Sequence, residues 1–395
     1  MNRLFRIGFD ILITSLTPIL SWFVIGLIID KQLTNVFSLT YPLQCLMGVI
    51  VSIFGIGANI SAIKDNITNG ADNGIVYGTL LSIVIFCFIA LNASQYITYM
   101  NMDKSIYLIF CIYSTLQILL QIIVELVITK LYYLDLNNKA NKITFLFNFL
   151  NFIILVIMSL ITKNQVLISS ITLIILLIFD IILLFKNVTN FDFKLNFKNC
   201  IKYDIVSLSV YIMFFIIYLF GFSNSFLYGE KYIEAITFAT IITDIQWDMT
   251  NAIENVAKID IAKNKFDYNY HLKNAIYYTC LLILSVILMF IVIYPIYKPE
   301  IRIVSIFILL HIFNFLLIPF TSIKKCYLEI EYSPIKTATN TIIAYIMRFI
   351  ISLIASPFCT IIGQIFSAIY EFIYVSIIAR KFELFTKSKV NNKGI

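Results

Sequence analysis

The chain has 395 residues, 60% of them hydrophobic and 13% charged, with a mean hydropathy of +0.92 and a formal net charge of +7. This composition excludes a soluble domain as the main body of the chain. Its basic residues are spread over short loops, which excludes a nucleic-acid-binding patch and points to membrane topology.

Apolar runs of about 20 residues, long enough to cross the hydrocarbon core as helices, recur from end to end. In chain order the expected spans are Phe9 to Ile29, Val36 to Ile63, Gly74 to Ile97, Ser105 to Thr129, Ile143 to Ile161, Val166 to Phe185, Ile201 to Phe222, Ile233 to Val256, Ala275 to Tyr297, Ile301 to Ile323, Thr337 to Ala355 and Cys359 to Ala379. The expected fold is therefore an all-α polytopic membrane protein of about twelve transmembrane helices, in two pseudo-symmetric bundles of about six over residues 1-198 and 199-395. Arg3 and Arg6 precede the first run, but it reaches Ile29 without a small-residue cleavage site, so a retained helix is expected rather than a signal peptide.

Assigning the loops alternately places Arg3, Arg6, Lys64, Lys130, Lys139, Lys142, Lys186, Lys194, Lys198, Lys202, Lys258, Lys263, Lys265, Lys273, Lys324, Lys325, Lys336 and the C-terminal tail on one side. The other side receives Lys31, Lys104, Lys163, Lys231, Lys298 and Arg302. The asymmetry puts both termini in the cytoplasm. Usage rich in Ile, Asn, Lys and Tyr suggests AT-rich coding, and a bacterial cytoplasmic membrane is the expected location. Ile7-Gly-Phe-Asp10-Ile11 at the first helix is echoed by Ile201-Lys-Tyr-Asp204-Ile205 at the seventh, so the halves should insert in the same orientation.

Polar residues inside such spans are functional candidates, because they are costly unless they face protein or water. The fourth helix carries Ser114, Gln117, Gln121, Glu125 and Thr129 at helical spacing, either lining a cavity, with Glu125 protonatable, or making interhelical hydrogen bonds. Asn148 and Asn151 of the fifth helix join that polar set, while Asp180 of the sixth has no evident partner. The eighth helix is the richest: Thr240, Asp244, Asp248, Asn251 and Asn255 share one face, with Trp247 and Glu254 beside them. Two carboxylates one turn apart with carboxamides below can bind a small cation or accept protons, and Trp247 offers a cation–π surface. The competing reading places these acids near an aqueous helix end, paired with Lys258 or loop lysines.

On the tenth helix His311 and Asn314 lie a three-residue step apart, fit either for proton relay or for packing. Arg348 of the eleventh run and Glu371 of the twelfth are expected to form a structural ion pair. Asp10 and Asp204 read as helix caps, and Pro18, Pro42 and Pro319 as kink points. The seven cysteines are scattered without partner histidines, supporting neither a metal site nor a disulfide framework.

The segment Gly26-Leu-Ile-Ile-Asp30-Lys-Gln-Leu33, followed by Tyr41-Pro42-Leu-Gln44 and Ile53-Phe-Gly55-Ile-Gly57-Ala58-Asn59-Ile60, resembles the multidrug and toxin extrusion (MATE) family. Asn148-Phe-Leu-Asn151 extends the resemblance, which rests on order and spacing over the whole chain. It implies two helical bundles around a central cleft that opens to either side in turn, exporting small cationic or amphipathic organic compounds against entry of Na⁺ or H⁺. Many members carry an Asp shortly before the glycine that matches Gly26; here Ser21 stands there, which puts coupling through the usual acid in doubt.

The expected partners are a small organic substrate, a coupling cation and membrane lipids, with no nucleic acid and no cofactor beyond Na⁺ or H⁺, and the expected state is a monomer. A lipid-linked oligosaccharide or polysaccharide flippase is the nearest alternative, and would need a strongly cationic cavity. An integral membrane enzyme acting on lipid is a further alternative, but no metal-ligand pair, nucleophile elbow or phosphate-binding glycine loop supports it, and ATP hydrolysis has no Gly-rich Lys/Ser-Thr loop to perform it.

Overall fold

The computed structural model describes residues 3–64, 67, 69–134, 136–225, 230–243, 245–262, 266–354 and 358–381. Within them the chain forms helices α1 (Arg3–Ile28), α2 (Val36–Ile50), α3 (Ala58–Lys64), α4 (Gly70–Leu91), α5 (Ala93–Tyr99), α6 (Lys104–Tyr133), α7 (Asn137–Ile161) and α8 (Gln165–Asn187). They continue as α9 (Phe197–Tyr203), α10 (Ile205–Ser225), α11 (Glu230–Thr243), α12 (Ile245–Ala262), α13 (Tyr268–Tyr297), α14 (Ile301–Tyr327), α15 (Pro334–Ser352) and α16 (Cys359–Lys381). A 3₁₀ turn, Lys31–Asn35, leads into α2, and π-helical segments Val51–Gly57 and Leu328–Tyr332 continue α2 and α14. Contacts divide the chain into two compact units, Ile13–Thr237 and Met1–Leu12 with Phe238–Ile395.

Among the described residues eight helical stretches are long and apolar enough to cross a membrane, and the bent pair α9 and α10 makes a ninth when taken as one span. Helix α8 shows the lipid solvent at work: its exposed positions include Ile174, Leu177, Ile178, Ile181 and Phe185, while Ser169, Thr172, Asp180 and Asn187 are buried. That inverts the pattern of a helix in water, so the chain is an all-α polytopic membrane protein. The helices that fall short of the span criteria include α12 and α15, where Glu254, Lys258 and Asp260, or a run of Thr and Asn, dilute the apolar content.

Local chemistry sets the helix starts. Asp103, Asn164 and Asp267 accept backbone N–H bonds at the beginnings of α6, α8 and α13, and Ser333 caps α15 with Pro334 in its first turn. Pro18, Pro42 and Pro319 all lie inside helices, as expected.

In the unit formed by Ile13–Thr237, α6 is the central post, packed against α2, α4, α7 and α8 around Phe54, Phe86, Ile122, Leu126 and Phe147. Trp22 of α1 sets its ring edge-on to Phe110 and Tyr113 of α6. In the π-helical segment Val51–Gly57 backbones approach closely: a Cβ on Gly57 would collide with the carbonyl oxygen of Cys200 in α9. In the other unit, α14 packs against α12, α13 and α16, and α15 crosses α16 at Gly363.

The expected seventh span, Ile201 to Phe222, is corrected by the structure. The chain bends by 83° at Asp204, so Ile201 to Tyr203 belong to the short helix α9 and the apolar run begins at Ile205. Asp204 serves the start of α10 by accepting the Ser207 hydroxyl at 2.8 Å, a local bond that competes with continuing one helix through the corner. The side chain of Asp10 lies outside the described residues.

Candidate functional site

The polar set of the fourth predicted helix sits on α6, where Ser114 and Gln117 are buried and Gln121, Glu125 and Thr129 are half-buried. Their apolar neighbours Ile122, Ile123, Val124, Leu126, Val127 and Ile128 are all buried. Gln121, Glu125 and Thr129 are thus the least buried positions between residues 121 and 129. Asn148 and Asn151 lie deeper, on α7: Asn148 donates to the carbonyl of Thr144 at 2.9 Å, and Asn151 accepts the Tyr113 hydroxyl of α6 at 3.1 Å. Asn151 therefore ties α7 to α6, Asn148 bonds within its own helix, and Gln121, Glu125 and Thr129 remain partly accessible. Ser21 is buried and donates to the carbonyl of Thr17 on its own helix.

Asp180 is 1% exposed, and among the described residues neither of its carboxylate oxygens has a hydrogen-bond partner.

A second constellation, at the α6 C-terminus, was not singled out from sequence. Asp72 at the start of α4 pairs with Lys130, whose ammonium also donates to the Asn187 carbonyl at 2.7 Å, while Lys139 donates to the Asn187 side chain at 2.7 Å. The other Asp72 oxygen accepts the N–H groups of Thr189 and Asn190, each at 3.3 Å. Asn73 donates to the Asp192 carboxylate and to the Lys194 carbonyl, both at 2.7 Å, and accepts the Asp192 N–H at 3.0 Å. Tyr77 completes the set by donating to the Phe193 carbonyl at 2.8 Å. The segment after α8 is thus strapped to α4 residue by residue, while Lys130 of α6 holds the last residue of α8. The Asn73 amide is the main cause holding the Asp192 carboxyl below the usual carboxylate range, with the Lys194 N–H adding to it.

In the unit that contains α12 to α16, the expected Arg348–Glu371 pair is replaced by other partners. Arg348, 1% exposed on α15, donates to the Gln364 side chain at 3.1 Å, whereas Glu371 pairs with Lys325 of α14 at 3.4 Å. Gln364 follows Gly363, which packs against the Arg348 backbone, and Glu371 lies two helical turns farther along, at the level of the α14 C-terminus.

His311 is half-buried within electrostatic range of Arg348, and Asn314 is buried with its side-chain oxygen unpartnered among the described residues. Asn251 and Glu254 are half-buried on α12, and Glu254 lies within electrostatic range of Lys325. The side chains of Asp244, Trp247, Asp248 and Asn255 lie outside the described residues. Among the described residues no group of three or more His, Cys, Asp or Glu could hold a metal ion.

No protein-family model matches the sequence, and no curated protein matches it. Solved structures do match. The multidrug transporter DinF-BH, solved in complex with R6G, superposes with a TM-score of 0.73 at 11% identity, covering 98% of this chain and 96% of that one. The fold is MATE-like. An outward-facing multidrug-resistance MATE transporter of the MOP superfamily matches with a TM-score of 0.67 at 16% identity, over 97% of this chain and 96% of its own. A MOP-superfamily transporter from Pyrococcus furiosus, described as having a binding pocket of reversed polarity, matches with a TM-score of 0.66 at 14% identity, over 98% and 96%. The MATE-like fold thus extends over nearly the whole chain, as the glycine, Tyr-Pro and Asn-x-x-Asn motifs implied.

Proposed function

We propose that this protein is a secondary active transporter that exports small cationic or amphipathic organic compounds by alternating access of two helical bundles, driven by a Na⁺ or H⁺ gradient. The observation that carries the reading is the full-length match to the MATE-like fold, with a TM-score of 0.73 to a multidrug transporter. The partly accessible Gln121–Glu125–Thr129 face of α6 supports it, since an aqueous route through a membrane protein needs polar walls. In this reading Asp244 and Asp248, with Asn251 and Asn255 below them and Trp247 alongside, form the cation-coupling or substrate-recognition site, and Glu125 serves the other unit.

The flippase alternative would draw on a cationic cavity. Among the described residues Arg348 is the buried arginine, and it is packed between helices at 1% exposure with Gln364 as a partner, which does not make such a cavity.

The test is uptake of a cationic dye into inverted membrane vesicles under an imposed Na⁺ or H⁺ gradient, with Asp244→Asn and Asp248→Asn beside the parent. Gradient-driven uptake lost in both variants at equal expression is the expected result. Uptake unchanged in both removes the coupling role of these acids, and no dye movement under either gradient removes the efflux reading.

A further inference from the structure

The strapped segment and α9 present an unusual surface. Phe191, Phe193 and Phe197 are 51%, 54% and 43% exposed, although the backbone around them is held by the hydrogen bonds from Asp72, Asn73 and Tyr77. Phe193 sits at φ 57, in the left-handed region that costs a residue with a side chain about 1–2 kcal/mol and that glycine or asparagine occupies more readily. Its ring meets Phe191 edge-on at 5.1 Å and Tyr77 at 6.0 Å, so the exposed aromatic group is fixed in place.

Cations surround these rings. Lys186, Lys194, Lys198 and Lys202 are all exposed, and Asp192 is the one acid between residues 186 and 202. On α9 the apolar Phe197, Cys200 and Ile201 share one face, with Cys200 buried against Gly57, while Lys198 and Lys202 stand one turn apart on another. Helix α9 is bent by 83° from the apolar α10; with α10 crossing the bilayer, that angle lays α9 along the membrane surface. Exposed rings beside a row of lysines at that level match the chemistry of a bilayer interface, where aromatic side chains sit among headgroups and lysines meet lipid phosphate.

We propose that the 186–202 segment is a binding surface for anionic phospholipid headgroups of the leaflet in which α10 begins. Lys194, Lys198 and Lys202 supply the charge, and Phe191 and Phe193 dip into the headgroup layer. The proposal rests on the membrane-spanning fold and is independent of what the protein transports.

The test uses the full-length protein transferred from mixed phosphatidylcholine and phosphatidylglycerol into neutral detergent, with retained lipid counted by native mass spectrometry. The parent should retain phosphatidylglycerol in preference to phosphatidylcholine. The triple variant Lys194→Gln, Lys198→Gln, Lys202→Gln should lose about fivefold in affinity per lysine, on the order of a hundredfold in all, while the corresponding triple Arg variant keeps it. In liposomes, Phe191→Trp should be quenched by phosphatidylglycerol brominated at the acyl positions nearest its headgroup. Undiminished phosphatidylglycerol binding by the Gln variant, displacement of the lipid by inorganic phosphate, or an unquenched tryptophan would each overturn the proposal.

Discussion

Replacing Lys130 by Met isolates the energetics of the strap. The Lys130 and Asp72 side chains are 15% and 8% exposed, so the substitution leaves a buried carboxylate with the N–H groups of Thr189 and Asn190, both at 3.3 Å, as its remaining neighbours. Deleting one partner of a buried pair costs about 3–5 kcal/mol, and the two amides together with the partial exposure of Lys130 hold the expected loss near the lower figure. At tenfold per 1.4 kcal/mol, about 3 kcal/mol raises the equilibrium constant for local opening on the order of a hundredfold.

Cys200, 0% exposed on α9 directly after the strap, reports that opening. With the accessible Cys87 and Cys280 replaced by Ser, maleimide labelling of Cys200 in reconstituted protein, mapped by peptide mass, measures the open population when reclosing outruns labelling. Lys130→Met should label about a hundredfold faster than the parent, and the double variant Asp72→Asn, Lys130→Met should recover most of the difference, since no charge is then stranded. A single variant within about threefold of the parent, or a double variant as fast as the single, would refute the buried-pair reasoning.

Two further outcomes are expected. Gly363→Leu puts a Cβ 2.8 Å from the Arg348 carbonyl oxygen, a backbone atom that cannot rotate away, and should cost about 1–3 kcal/mol, read as a lower Tm in a thiol-exposure melt; an unchanged Tm would count against the close α15–α16 crossing. Asp192 contributes to holding the strap with a carboxyl whose folded pKa is lowered, so its contribution is complete above the ordinary carboxylate value of about 3.9 and disappears as pH falls through the lowered one. Cys200 labelling, divided by the rate of a free thiol at the same pH, should therefore rise below that range in the parent, and Asn73→Ala should make that rise begin at higher pH and flatten it; superimposable pH profiles would exclude the Asn73–Asp192 bond as the cause.

The apolar runs made the polytopic α fold legible, because in lipid each span must satisfy its own backbone and so writes its length into the sequence. The stripe from Ser114 to Thr129 was legible for a related reason: helical periodicity alone places those residues on one face. Asp72 and Asn73 were not. They read as loop residues just ahead of a span, and their burial comes from Lys130 and from residues 187–194, more than fifty positions away, which no local pattern announces.

The Arg348 partner was misassigned because pairing two ionisable residues on neighbouring helices ignores depth. Helix α16 presents Gln364 at the level of Arg348, and Glu371 falls two turns on, where Lys325 of α14 meets it. The corner at Asp204 did leave a trace in the sequence, since Asn196 accepting the Asn199 N–H and Asp204 accepting the Ser207 hydroxyl are two helix-start signatures within one expected approach to a span.

The contact between Gly57 and Cys200 has a genetic consequence. A clash between two side chains can be relieved by trimming either one, so selection for suppressors usually finds the partner. Here the obstructing atom on the far side is a carbonyl oxygen, present whatever residue occupies position 200. Loss-of-function alleles at codon 57 should then yield true revertants, or changes that shift the whole of α9, and no compensating allele at codon 200.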